Sequence, residues 1–298
     1  MPLVATARPS SRELHEISTT RWDELRAARP DLAPAVDLQQ HLLGIVMDAA
    51  EAMEGKLPRL SLPPKYLDAK LKRGVPILIG EPIPLPLPLL KSVFLKLCDA
   101  LAAGGAGEAA EHIKSSVADG AIDAGSLLTA SLSRNQDAIR QGAVHRGLAP
   151  DLLWLLAELA TSPLAHALHR ALLPSQAGWN HGYCAVCGSW PALMEVVDGH
   201  RILRCSFCAS AWERDEYSCA YCGESDEEKF RTAAPDQERI QRRLELCMSC
   251  QGYLKTVDVA ALSPFPLLAI YDMETMDLDL AAMEHGYSRP ALKEFSRR

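Results

Sequence analysis

Apolar residues recur at two different periods along this chain, and the change falls near residue 175. Before it the spacing is helical. Between Pro34 and Gly55, the positions Leu38, Leu42, Ile45, Val46 and Ala49 follow the i, i+4, i+7, i+8 pattern of one buried helix face. Leu89 to Leu101 repeats it through Val93, Phe94, Leu97 and Leu101. Further helices are expected over 108–118, 122–133, 135–146 and Asp151–Ala160. Ser162-Pro163 reads as an N-cap with proline at the first helical position, opening a separate helix to about Leu173. Beyond residue 190 the period shortens to two. Strands are expected at Ala192–Val197, Arg201–Cys205, Ala211–Asp215, Lys229–Ala233, Ile240–Cys247 and Tyr253–Val257. Asp198-Gly199 is a hairpin turn signal, and Ile240, Leu244 and Leu246 share one strand face. An acidic helix from Ile270 to His285, ending at Gly286, closes the pattern.

Two stretches interrupt these periods. Val75–Leu90 alternates Pro82, Pro84, Pro86 and Pro88 with Ile83, Leu85 and Leu87. Proline at that density argues against helix and central strand alike, so an extended strip over the helices is expected, with a partner-contacting strip as the functional alternative. Pro174–Gly182 is rich in turn formers and marks a domain boundary.

The chain has 298 residues, 48% of them apolar, as in a soluble globular protein of two domains. No run approaches the roughly 20 apolar residues of a membrane span, and the first residues lack the apolar core of a signal peptide. A cytoplasmic location follows as the expectation, and there paired cysteines bind metal more often than they form disulfides. Charge is uneven. Residues 1–177 hold 18 Lys/Arg against 19 Asp/Glu, and residues 178–298 hold 13 against 19. The second part has the wrong sign for a nucleic-acid-binding module, which needs excess Lys and Arg to displace counterions from phosphates. The small basic cluster Arg239, Arg242 and Arg243 reads as a solvated strand surface.

That acidic part carries the chemistry. Eight of nine cysteines form four CxxC pairs: Cys184/Cys187, Cys205/Cys208, Cys219/Cys222 and Cys247/Cys250. Two thiolates two residues apart grip one ion from a tight turn, and two such turns complete a tetrahedral site. A closed four-sulfur site builds structure or carries an electron rather than activating water, which tilts the reading away from a metallohydrolase, and no catalytic residues are assigned. The pairs are separated by 17, 10 and 24 residues, with hairpins fitting the first and third intervals. The simplest grouping is Cys184, Cys187, Cys205 and Cys208 in one module, and Cys219, Cys222, Cys247 and Cys250 in the next; a cross-braced grouping stays open. Gly188 and Gly223 follow the first pair of each module, where a metal knuckle needs positive φ. The expected fold is therefore α+β: an all-helical N-terminal domain (1–175), then two tandem rubredoxin-like or zinc-ribbon-like small β modules (178–215 and 216–298), the second with a C-terminal helix.

Four thiolates suit both zinc and iron, zinc being the commoner ion for such a ribbon, and a dithiol–disulfide role is a third reading. Aromatic and apolar residues crowd the knuckles: Tyr183, Val186, Trp190, Phe207, Trp212, Tyr217, Tyr221 and Tyr253. Other candidates are weaker. His145, His181 and His200 read as surface or core, Glu195, Glu213 and Asp215 as strand-face charges, and Cys98 as a small buried hydrophobe.

YCAVCGSWP (Tyr183–Pro191), ILRCSFCASAWE (Ile202–Glu213), YSCAYCGE (Tyr217–Glu224) and LELCMSCQGYLKTVD (Leu244–Asp258) resemble the C-terminal region of the formate dehydrogenase accessory proteins, the FdhE family. The tail DMETMDLDLAAMEHGYSRP (Asp272–Pro290) is similar to that family's acidic helix and Gly-Tyr-x-Arg-Pro ending. Ala209, where the family pattern has glycine, is a departure. The resemblance implies a cytoplasmic accessory protein that binds the catalytic subunit of formate dehydrogenase and holds two iron ions in rubredoxin-like sites made by the eight cysteines, with zinc as the alternative. It implies neither a nucleic-acid partner nor a membrane span, and leaves homodimer formation open. The rival readings are a nucleic-acid-binding zinc-ribbon protein and a rubredoxin-like electron-transfer component.

Overall fold

A computed structural model describes residues 9–53, 60, 62–172, 179–214, 217–234 and 241–293. They fall into two compact units: Ser10–Ser61 with Leu78–Leu172, and Leu62–Ile77 with the described residues of Leu173–Phe295. The expected boundary residues 174–178, together with Asp215, Arg239 and Ile240, lie outside the described residues.

The first unit is helical. It comprises α1 (Ser11–Ala28) and α2 (Ala33–Met53); then, after α3 (Pro64–Lys72) in the other unit, α4 (Leu87–Leu101), α5 (Gly107–Ala118), α6 (Ala124–Leu132), α7 (Gln136–His145) and α8 (Pro150–Ala171). Helix α8 packs against α2, α4, α6 and α7. The core face of α2 includes Leu42, Val46 and Ala49 as the spacing predicts, but Val36, Leu43 and Met47 are buried while Leu38 and Ile45 are only half-buried. Helix α1, which periodicity does not reveal, buries only Ser18, Trp22 and Leu25. A capping box starts it: Ser10 Oγ accepts from the Glu13 N–H, and the Glu13 carboxylate accepts from the Ser10 N–H.

The prolines act differently from expectation at two places. Helix α4 opens at Leu87, so Pro88 lies in its first turn, where no N–H is needed, and 81–86 has no regular secondary structure. Helix α8 runs unbroken through Pro163, so the separate helix expected from Ser162 does not form. Pro163 leaves the Leu159 carbonyl without its helical donor, and Ser162 Oγ donates to it at 3.1 Å. The hydroxyl that reads as a cap repairs the ladder instead.

The second unit carries a six-stranded sheet ordered β3-β2-β1-β6-β5-β4. Its strands are β1 (Pro191–Val197), β2 (His200–Cys205), β3 (Ala211–Glu213), β4 (Phe230–Ala233), β5 (Arg242–Cys247) and β6 (Gly252–Asp258). Each module contributes three antiparallel strands, and β1 and β6 pair in parallel from Met194↔Thr256 to Val196↔Asp258. The modules thus form one open sheet, with the first strand of one against the last strand of the other. Arg201 of β2 also reaches Glu245 of β5 in a two-pronged ion pair, both bonds 2.7 Å. The acidic tail is two short helices, α9 (Leu268–Glu274) and α10 (Met276–Glu284), broken at Thr275. Leu278 and Ala282 of α10 cover Leu244 and Tyr253.

Candidate metal centres

The structure brings the eight paired cysteines into two clusters. Cys184, Cys187, Cys205 and Cys208 form one, and Cys219, Cys222, Cys247 and Cys250 the other, with the sulfurs of each within 4.8 Å of one another. Cross-bracing is not the arrangement adopted. Sulfurs from facing knuckles stand 3.6 Å apart for Cys184–Cys208 and 3.4 Å for Cys187–Cys205. In the second cluster the separations are 3.7 Å for Cys219–Cys250 and 3.8 Å for Cys222–Cys247. A tetrahedral ion with metal–sulfur bonds of about 2.3 Å needs sulfurs about 3.8 Å apart, so each cluster can hold one ion with little movement.

One backbone device recurs at every knuckle. The N–H groups of Val186, Phe207 and Tyr221 point at the sulfurs of Cys184, Cys205 and Cys219, each at 3.4 Å. Ser249 does the same for Cys247. The residue after each CxxC takes positive φ: Gly188 at 84°, Ala209 at 55°, Gly223 at 78° and Gln251 at 54°. Glycine does this freely, whereas Ala209 and Gln251 each bear about 1–2 kcal/mol of steric cost. Gly252 answers a different need: a Cβ there would lie 2.8 Å from the Tyr221 ring and 3.1 Å from Cys250 Sγ.

Burial pushes the thiols of Cys184 and Cys208 well above the ordinary range, and that of Cys219 to about 11. Cys250 is also raised by burial. Cys247 is lowered: burial opposes ionisation, but the N–H groups of Cys250 and Ser249 outweigh it. Protonated thiols must lose their protons to bind an ion, so loading releases acid.

The first cluster is sealed. All four of its cysteines are buried, as are Tyr183, Val186, Phe207 and Trp212 of the expected shell. Three partners that periodicity does not show complete the seal. The Ile77 N–H, just past α3, donates to the Ala185 carbonyl inside the first knuckle at 2.9 Å. Tyr183 Oη donates to the Gly74 carbonyl at 2.8 Å. Glu195, expected as a strand-face charge, is instead fully buried against fully buried Arg204, whose guanidinium also donates to the Ser263 carbonyl at 2.7 Å. The second cluster is open, with Cys222 and Cys250 exposed.

Across the sheet end lies the chain's closing segment. Ser288 bridges in parallel to Gly252, its N–H donating to the Gln251 carbonyl at 2.9 Å. Arg289 sits over the Tyr253 ring and pairs with Asp272 and Asp279, which also hold buried Lys255. Trp190 Nε1 donates to the Ala291 carbonyl at 2.8 Å, and Lys293 lies over the Tyr183 ring. The Gly-Tyr-x-Arg-Pro ending is thus a strap touching both modules.

The remaining candidates stay apart from the sulfurs. His200 pairs with Glu213, His145 is exposed, and His181 stacks on Tyr183 with its pKa lowered by burial and by Lys293 and Arg214. Arg242 and Arg243, expected as solvated, bind the Glu274 carbonyl with Asp277, and Asp258, respectively. Burial raises the Cys98 thiol to about 12, consistent with an inert core residue.

No family model matches the chain. A protein from Aquifex aeolicus named Protein FdhE homolog is 28% identical over 155 residues, 48% of this chain and 52% of that one. Protein FdhE of Escherichia coli O127:H6 is 30% identical over 132 residues, 42% of each chain. The match therefore spans about half, or less, of these curated relatives. The crystal structure of the FdhE protein from Pseudomonas aeruginosa superposes with a TM-score of 0.62 at 25% identity, covering 98% of this chain and 97% of that one. Among the described residues no helix is long and apolar enough to cross a membrane. Sequence likeness over part of the chain and a common fold over nearly its whole length together support the FdhE family for this chain.

Proposed function

We propose that this protein is a cytoplasmic accessory factor for formate dehydrogenase, acting by binding the enzyme's catalytic subunit rather than by catalysis. The observation that carries the reading is the pair of preformed four-sulfur clusters in an FdhE fold. In this reading Cys184, Cys187, Cys205 and Cys208 hold one ion, and Cys219, Cys222, Cys247 and Cys250 a second. Iron is the first choice and zinc the alternative, since four thiolates accept both. The ions would tie each hairpin to its knuckles and, if iron, supply one-electron chemistry; the residues set which faces a client meets. The acid excess of residues 178–298 weighs against a nucleic-acid role.

The experiment is anaerobic purification from the native host, followed by metal analysis and a visible spectrum. Two irons per chain, with a red colour that bleaches on reduction, support rubredoxin-type sites; two zincs and no colour make the modules structural. Serine at any one of the eight cysteines is expected to empty its own cluster and weaken capture of the catalytic subunit. Unchanged metal content and unchanged formate dehydrogenase activity in such variants would sink the proposal.

A further inference from the structure

A four-sulfur cluster that holds a divalent ion carries a net charge of −2, because four thiolates outweigh the ion. Burying such a group unpaired is costly, and the first cluster avoids this with N–H donors and a sealed shell. The second leaves Cys222 and Cys250 at the surface. The neighbouring side chains differ from those at the first in a consistent direction. Where the second knuckle of the first module has Phe207, 1% exposed, the matching knuckle has Ser249, which is exposed. Met248 beside it is 41% exposed, and Tyr217, ahead of Cys219, is 47% exposed. Met248 is thus a large apolar side chain left in water in the knuckle that holds exposed Ser249 and Cys250, whereas Tyr217 packs on Phe230 with Arg201 over its ring.

The surrounding charge has one dominant sign. Glu224, Asp226, Glu227 and Glu228 follow Cys222 directly, against Lys229 and Arg231. The segment lies against the open knuckle: Ser249 Oγ donates to the Glu224 carboxylate at 2.7 Å, and the Met248 N–H donates to the Lys229 carbonyl at 2.8 Å. Two exposed cysteines, exposed Met248 and an acidic rim therefore lie together, joined by the Ser249–Glu224 and Met248–Lys229 contacts.

We propose that this surface, centred on Cys222, Met248 and Cys250, docks a basic segment of the client protein. Lys or Arg side chains of that segment face Glu227 and Glu228, its N–H groups approach the sulfurs of Cys222 and Cys250, and an apolar side chain covers Met248. The inference rests on the accessory-factor reading and adds which face of the protein is used. Opposite charges across the rim steer the encounter and fix its register, while the apolar contact and the donors to sulfur slow release.

The test uses the full-length, two-metal protein and purified formate dehydrogenase catalytic subunit as the probe. Three variants, Met248→Glu, Glu227→Lys/Glu228→Lys and their combination, are first checked for two ions per chain. The combined variant is expected to bind at least tenfold more weakly, and raising salt is expected to weaken the wild type more than the charge-reversed protein. A photo-crosslinking residue at Met248 is expected to join the subunit, whereas one at Val144, more exposed and on α7, is not. Wild-type capture left undiminished in all three variants, or crosslinking from Val144 and not Met248, overturns the docking face alone. No capture by the wild type overturns the accessory reading as well.

Discussion

The two four-cysteine clusters are built from the same knuckles, with the same N–H to sulfur contacts and the same positive-φ residue, yet they face different surroundings. The first lies beneath Phe207, Trp212 and Tyr183, with Ile77 bonded into its knuckle. The second has Met248, Ser249 and Gln251 on its outer knuckle, all exposed. Geometry at the sulfurs is therefore a property of the repeated turn, whereas access to them is set by what the rest of the chain lays on top. The comparison teaches that access to a four-sulfur cluster can be varied without changing a single sulfur.

Three experiments sharpen or break the comparison. The largest effect is expected from Glu195→Ala, which leaves Arg204 charged, buried and unpaired beside the knuckle of Cys205. Losing one partner of a buried pair costs about 3–5 kcal/mol. Denaturant unfolding should show it, with the ion of the first cluster lost before that of the second; an unchanged midpoint would mean that the pair does not seal the site. Chelator challenge should come next in size. Release is expected in two phases, the second cluster at least about tenfold faster than the first, with Cys222→Ser abolishing only the fast phase. A single phase would erase the distinction. The smallest effect concerns the strap. Burial works against ionisation of Asp272, but Lys255 and Arg289 hold its pKa below the usual range. A depressed carboxylate pKa contributes stability above the unfolded value, about 3.9, that is lost as pH falls through the folded value. Hydrogen exchange over 286–293 should therefore accelerate below about pH 4, and Arg289→Met should lessen that dependence while Lys255 keeps part of it. Acid-independent exchange would detach the strap from Asp272.

Much of this was legible in the residues. The CxxC spacing, the hairpin signal at Asp198-Gly199 and period-two alternation marked the paired cysteines and the six strands, because those signals are local. What stayed hidden was long-range or depended on a single compensating contact. The parallel pairing of β1 with β6 leaves no mark in either strand. Glu195 and Arg204 read as ordinary charges until their register puts them side by side and Ser263 closes over them. Proline 163 signalled a break, and the Ser162 hydroxyl that cancels it looked like a cap from sequence. Helix α1 was readable from the Ser10–Glu13 box but not from its sparse apolar face.

Pairing the first strand of one module with the last strand of the other is an operation without a built-in stop. The free edges, β4 and β3, are the first and last strands of their own modules, so a neighbouring molecule could extend the sheet by repeating the step that made it. Repetition of that kind generates fibres rather than closed assemblies. Here the terminal strands are short: β3 has three residues and β4 four, against seven in each of the paired strands β1 and β6. Truncated edges offer a neighbouring strand little ladder, the way sheet proteins blunt edge-to-edge growth.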